Sequence, residues 1–234
     1  MNDQHATRIE YTSELRTLQD DVLRLGSMVD RQIVRAVDAL GKQDVSGARQ
    51  VIELDQNVNN RRWKIENDTM TIIARQGPMA GDLRRIMASV HIATNLERMG
   101  DHAEGIARLT LRTADQPHLH ELDSISEMAD TGRAMLTDAL QSYVDIDPNK
   151  AREIAKRDDE VDQLYERVYR ELLTIMIADP DTVSRATHLL WVAHNLERIA
   201  DRVTNICERI IFSVTGEFEE VNRKDFGERF SDTN

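Results

Sequence analysis

Apolar positions recur at three- and four-residue intervals along nearly the whole chain, the spacing of one helical face. Leu196, Ile199, Val203, Ile206 and Ile210 form one such line near the C-terminal end. Ile86, Val90 and Ala93 form another in the first half. Breaks in this pattern mark where helices stop. Gly41 reads as a helix stop and Asp44 as the next N-cap, while Gly77 reads as a C-terminal glycine followed by Pro78 in a first turn. TADQPHLHELD is a polar interruption, with the break placed at Ala114–His118. Asp147–Pro148 and Asp179–Pro180 each put an N-cap before a proline at the first helical position. Five breaks predict six helices, most of them about 25–35 residues long, and helices of that length need side-by-side packing to be stable.

The pattern also repeats. Asp44, Ala48, Asp55, Val58 and Asn59 fall 103 positions before Asp147, Ala151, Asp158, Val161 and Asp162. Beyond the next break the offset becomes 100, linking Val90, Ala93, Leu96, Glu97 and Asp101 to Leu190, Ala193, Leu196, Glu197 and Asp201. One three-helix unit is therefore used twice. The predicted fold is all-α, two tandem pseudosymmetric three-helix bundles made of six long helices. The first spans residues 1–115 and the second 116–216, followed by a tail over 217–234 that carries no assignable pattern and reads as flexible.

Composition narrows the function classes. Aromatic residues make up 4% of the 234-residue chain, which suits helix-on-helix packing. A formal charge of −12 excludes nucleic acid and disfavours anionic lipid, leaving basic protein partners or cations. The single cysteine, Cys207, has no intramolecular partner, as in a reducing cytoplasm, and reads as a small buried hydrophobe. No apolar run approaches membrane-spanning length and MNDQHATRIE is no signal peptide, so a soluble cytoplasmic protein is expected, without direct membrane insertion and peripheral to the inner face of the membrane only through partners.

Candidate chemistry lies in a repeated septet: NLERMGD at Asn95–Asp101 returns as NLERIAD at Asn195–Asp201. Positions four apart share a helix face. The line Ala186, Leu190 and Ala193 thus runs on into Glu197, Asp201, Thr204 and Glu208. Its counterpart runs from Ala93 into Glu97, Asp101 and Glu104. Carboxylates interrupt a stripe that begins as core. Such like charges cost about 0.2–0.5 kcal/mol on a solvated helix, and several kcal/mol when partly buried. Three compensators are consistent with this pattern: arginines from another helix, a divalent or trivalent cation on hard oxygen ligands, or plain hydration of a charged face. Arg98 and Arg198 pair poorly with the Glu before them, since adjacent side chains point about 100° apart.

The second helix of each half adds Asp55 and Asn59, or Asp158 and Asp162. Hairpin lengths match, with about 18 residues either side of the corner in the first half and about 17 in the second, so these groups come level with the septet carboxylates. The repetition favours two cation sites, Asp55, Asn59, Glu97 and Asp101 in one half and Asp158, Asp162, Glu197 and Asp201 in the other. His194 flanks the second and His102 the edge of the first. His91, His118, His120 and His188 show no ligand spacing, and Trp63 and Trp191 read as packing anchors. No phosphate-cradling glycine loop or nucleophilic triad is present.

PMAGDLRRIMASVHIATNLERMGDHAEGIA and the segment from DDEVDQLYERVYRELL to HNLERIADRVTNICE resemble the two signatures of the PhoU family of phosphate-uptake regulators, and the resemblance runs from about Leu15 to Gly216. It implies two three-helix bundles whose Glu/Asp-x-x-x-Asp motifs hold a multinuclear metal (Fe, Mn, Mg or Zn). It also implies a regulator and not an enzyme, one that restrains the phosphate-starvation response by signalling between the ATPase subunit of a phosphate ABC transporter and a sensor histidine kinase, and that works as a homodimer or other homo-oligomer. Two positions depart from the family pattern, Arg202 where histidine is frequent and Asn59 where aspartate is frequent; both weaken a metal site. The alternative is a metal-handling or di-metal enzyme on a helical bundle. Such sites use Glu-x-x-His, and neither Glu97-Arg98-Met99-Gly100 nor Glu197-Arg198-Ile199-Ala200 supplies that histidine.

Overall fold

The computed structural model describes residues 2–117 and 123–221, with side chains from residue 10 onward. Seven α-helices run as α1 (Asn2–Lys42), α2 (Val45–Gln76), α3 (Ala80–Thr113), α4 (Asp123–Asp145), α5 (Pro148–Lys156), α6 (Asp158–Ala178) and α7 (Val183–Thr215). No strand occurs among the described residues. α1, α2 and α3 pack into one bundle, and α4, α6 and α7 into the other, with α5 leading into α6. The predicted pair of three-helix bundles is what the chain forms.

Each boundary has a local cause. α1 runs through Gly41 to Lys42 and is stopped by Gln43, whose φ is 50°, so the left-handed residue is not the predicted glycine. Asp44 holds the N-cap position, but its side chain accepts no capping bond. Gly77 closes α2 as expected, with φ 54° and its N–H on the Ile73 carbonyl. Pro78 precedes the Met79 N-cap of α3 instead of lying in its first turn. Asp147 accepts from the N–H groups of Asn149 and Lys150, and Asp179 from that of Asp181. The fifth predicted helix is divided at Arg157 into α5 and α6. Asp158, Asp159 and Glu160 then fill the first turn of α6, where carboxylates meet the positive end of the helix dipole. The His118 side of the predicted break, His120 and tail residues 222–234 lie outside the described residues.

The bundles are held by aliphatic burial. Leu18, Val22, Leu25, Val29, Ile33 and Ala36 form the inner stripe of α1 and are all buried. Each large side chain of this kind contributes about 1.5–3 kcal/mol. Leu196, Ile199, Val203, Ile206 and Ile210 are buried along α7, and Cys207 lies among them with its thiol pushed up to about 12 by burial.

α3 and α7 join the halves. Arg84 lies against Gly216, while further along Gly105 lies against Asn195. The partner numbers fall as the α3 numbers rise, so the two helices are antiparallel and cross near the septets. Ser89 and Tyr143 share a 2.7 Å hydrogen bond between α3 and α4. After α7 the chain turns at Gly216 (φ 78°) and folds back. Phe218 stacks on Phe212 at 4.3 Å and Arg152 binds Glu219 at 2.8 Å, so the beginning of the predicted flexible tail is anchored.

Candidate functional site

The first group of acids assembles where α2 faces α3. Asp55 is buried and accepts from Gln32 Nε2 at 3.1 Å and Asn59 Nδ2 at 2.9 Å. Burial raises its carboxyl above the usual range, and the charges of Asp101 and Glu104 push the same way. Burial likewise raises Glu97, helped by the negative charges of Asp101 and Asp55. Asp101 is raised by burial and by Glu104. These mutual effects place Asp55, Glu97, Asp101 and Glu104 in one electrostatic group, as the matched hairpin lengths require. Gly100 makes room for it: an added Cβ would stand 3.0 Å from Gln32 Oε1 and 3.4 Å from Asp55 Oδ1.

Compensation comes from arginine. Arg62 of α2 lies 3.6 Å from Glu97 and also holds Glu66, one turn further along its own helix. Arg98 lies 3.7 Å from Glu97 and 3.7 Å from Asp101. Glu104 pairs with Arg108 at 2.6 Å.

The second group differs in detail. Asp201 binds Arg198 at 2.7 Å, and Glu197 lies 3.1 Å from His194 Nδ1, the flanking role expected of that histidine. Asp158 is buried at the start of α6 and Asp162 follows one turn on. Tyr165 is raised by burial and by the charge of Glu197, which fixes this part of α6 against α7.

Between the two groups lies the antiparallel crossing of the septets. Asn195 donates back to the Trp191 carbonyl at 2.8 Å and offers its Oδ1 to His102 across the seam at 3.1 Å. Asn95 makes the matching bond to the His91 carbonyl at 2.9 Å. The septet asparagines thus brace their own helices, and Asn195 also joins the halves. His102 belongs to this seam, not to the edge of the first acidic group. Burial, and then the like charges of Arg198 and Arg98, weaken the hold of Arg202 on its proton against the opposing pull of Asp201.

As the side chains stand, the donor set does not fit a resident metal. Among the described residues no three His, Cys, Asp or Glu groups are placed to hold one ion. Asn59 spends its amide as a donor to Asp55, and Arg62 and Arg98 stand where a cation would compensate Glu97. The sequence reading overlooked Arg62 and Gln32. Gln32 had a signal, a polar residue at a core position between Val29 and Ile33. Arg62 had none, because its approach to Glu97 depends on how α2 is rotated against α3. Trp63 and Trp191 are not packing anchors: they are 50% and 59% exposed.

Comparison with known proteins agrees with this architecture. The PhoU domain model matches residues 22–110 and 125–210, once in each bundle. A phosphate-specific transport system accessory protein PhoU homolog from Clostridium acetobutylicum is 41% identical, over 92% of this chain and 99% of its own length. The accessory protein PhoU of Escherichia coli is 36% identical over 89% and 86%. Crystal structures of PhoU from Streptococcus pneumoniae and Pseudomonas aeruginosa both superpose with a TM-score of 0.83, at 31% and 32% identity. They cover 89% and 88% of this chain, and 99% and 100% of their own. By sequence, repeat and fold, this chain belongs to the PhoU family.

Proposed function

We propose that this chain is a non-enzymatic regulator of phosphate uptake that restrains the phosphate-starvation response. In this reading it is a cytoplasmic adaptor between the ATPase subunit of a phosphate ABC transporter and a sensor histidine kinase. The observation that carries the reading is the state of the acidic groups. Their carboxylates are engaged by arginine, histidine and amide side chains. That arrangement suits a rigid acidic surface better than a reaction centre. The names of the relatives, accessory proteins of a phosphate transport system, supply the physiological setting.

Deletion of the gene tests it. Phosphate-starvation genes should then stay switched on in phosphate-rich medium, and normal repression in the deletion strain would refute the assignment. Binding to the transporter ATPase and kinase should weaken as salt rises, because an acidic surface attracts a basic partner through screened charges.

A further inference from the structure

α3 and α7 meet along one stripe of each helix, with positions three and four residues apart. On α3 the stripe runs Asn95, Arg98, His102 and Gly105, and on α7 it runs Asn195, Arg198, Arg202 and Asn205. Facing residues carry numbers that sum to 300, as Arg84 against Gly216 and Gly105 against Asn195 show. The same register sets Arg98 opposite Arg202, and Arg198 opposite His102. The repeat also relates these four, Arg98 to Arg198 and His102 to Arg202, so they surround its pseudo-two-fold axis. Cations thus face one another where the two bundles cross.

Neighbouring carboxylates do not settle this charge. Arg98 reaches Glu97 and Asp101 only at 3.7 Å, beyond hydrogen-bond length. Arg198 gives Nη1 to Asp201 at 2.7 Å and keeps its other donors. Arg202 is half-buried and, among the described residues, has no hydrogen bond and no carboxylate within 4 Å. Its Nε is buried without a protein acceptor. Burial and the like charges of Arg198 and Arg98 act on it against the pull of Asp201. Arg202, Arg198 and His194 all oppose a proton on His102 in the same way. An orphaned donor among facing cations marks a place where an anion is stabilised.

That anion is small. Packed helices stand about 8–10 Å apart, which leaves no room between them for a partner's segment. A chain of charge −12 repels a polyanion at a distance. Guanidinium forks match pairs of oxygens on a tetrahedral centre better than they match a spherical halide. The group is open to solvent on one side, where Arg98 is 59% exposed and Arg198 39%. We propose that Arg98, Arg198 and Arg202 form a site for one small tetrahedral oxyanion, a phosphate ion or the phosphoryl group of a monoester, on the pseudo-two-fold axis. Bound there, it ties α3 of one bundle to α7 of the other. The site involves neither transporter nor kinase, so it stands or falls apart from the regulator reading.

Titration calorimetry of the full chain at neutral pH and low salt, with sodium phosphate and separately with AMP, tests it alongside thermal melting. Binding should saturate at one anion per chain, because a site on the axis occurs once. Phosphate binding tighter than AMP assigns the site to the free ion, and AMP binding as tight or tighter assigns it to a monoester. Arg202→Gln should weaken either at least about tenfold, as loss of a charge-assisted contact does. Its melting temperature without phosphate should equal or exceed the parent's, since a cation without a partner has been removed. Arg202→Lys keeps the charge without the fork and should fall between the two. Arg31→Gln, on α1, should leave binding unchanged. No binding by the parent, two anions per chain, or affinity that survives Arg202→Gln would overturn the proposal. So would a rise in melting temperature that sodium chloride reproduces at equal ionic strength, which is screening. A loss of phosphate-free stability in both Arg202→Gln and Arg202→Lys would also overturn it, by making the guanidinium a structural group.

Discussion

Arg133 donates to Asp30 through Nε at 2.7 Å and through Nη2 at 3.4 Å, and the two residues stand 103 positions apart, the offset of the repeat itself. The duplicated helices α1 and α4 therefore meet at equivalent positions, with opposite charges where a true two-fold would place identical ones. Divergence of the two copies turned a self-facing position into an ion pair.

That pair predicts a modest, specific coupling. Both side chains are about one third exposed, so screening limits the gain to roughly 0.5–1 kcal/mol. Asp30→Asn and Arg133→Gln should each destabilise by about that amount, and the double variant by little more than either. Chemical denaturation of all four proteins measures the coupling, and strictly additive losses would deny it.

Gly100 predicts a contrast between two helical glycines. A methyl group there would press on Gln32 Oε1, on Val58 Cγ1 at 3.3 Å and on Asp55. Gly100→Ala should cost about 1–3 kcal/mol, the usual range for overpacking. At Gly41 nothing lies within 4 Å of an added Cβ, and the residue is inside α1. Gly41→Ala should be neutral or stabilise by up to about 1 kcal/mol. Melting temperatures that move the same way in both variants would contradict the packing argument.

These positions also mark how far the sequence could be read. Periodicity and breaks sufficed for the helices, because an apolar face three to four turns long has few alternatives. Equal hairpin arms bring Asp55 level with Asp101. What stayed hidden was rotation of one helix against another, which turns Arg62 onto Glu97 and leaves Trp63 and Trp191 facing outward. The division at Arg157 was also unreadable, since neither glycine nor proline marks it. Three consecutive acids at Asp158–Glu160 were the only trace of a new helix start.

The first acidic group predicts a pH dependence. Glu97 and Asp101 have raised carboxyl pKa values in the folded chain, chiefly from burial. The folded state then holds their protons more tightly than the unfolded state. The associated stability is fully present below the ordinary values, 4.5 for Glu and 3.8 for Asp, and is lost as pH rises through the folded-state values. Glu97→Gln with Asp101→Asn should therefore be more stable than the parent at neutral pH, and the advantage should shrink on acidification toward the ordinary carboxylate range. His91 and His102, both lowered by burial, oppose acid stability in parent and variant alike and cancel in the difference. Paired melting curves in chelator measure it. An advantage that grows as pH falls would reverse the assignment.

The second septet separates ion pairing from cation binding. Asp201 is held by Arg198 at 2.7 Å and Glu197 by His194 at 3.1 Å, so these carboxylates already have cationic or donor partners within the fold. Glu197→Gln with Asp201→Asn nearly preserves shape while removing two negative charges. If the side-chain pairs are what the acids serve, the double variant should melt below the parent by a margin worth about 1 kcal/mol. That margin should be the same in chelator, Mg, Mn and Fe, because partly exposed pairs are each worth at most about 1 kcal/mol. A cation site behaves differently. A metal at 100 times its dissociation constant adds about 2.7 kcal/mol to the parent, and the double variant should lose that increment. The pairing observed here predicts parent curves that coincide in all four conditions. A rise in the parent with one metal, absent from the double variant, would show that Arg198 and His194 give way to a cation and would establish the metal site at Glu197 and Asp201.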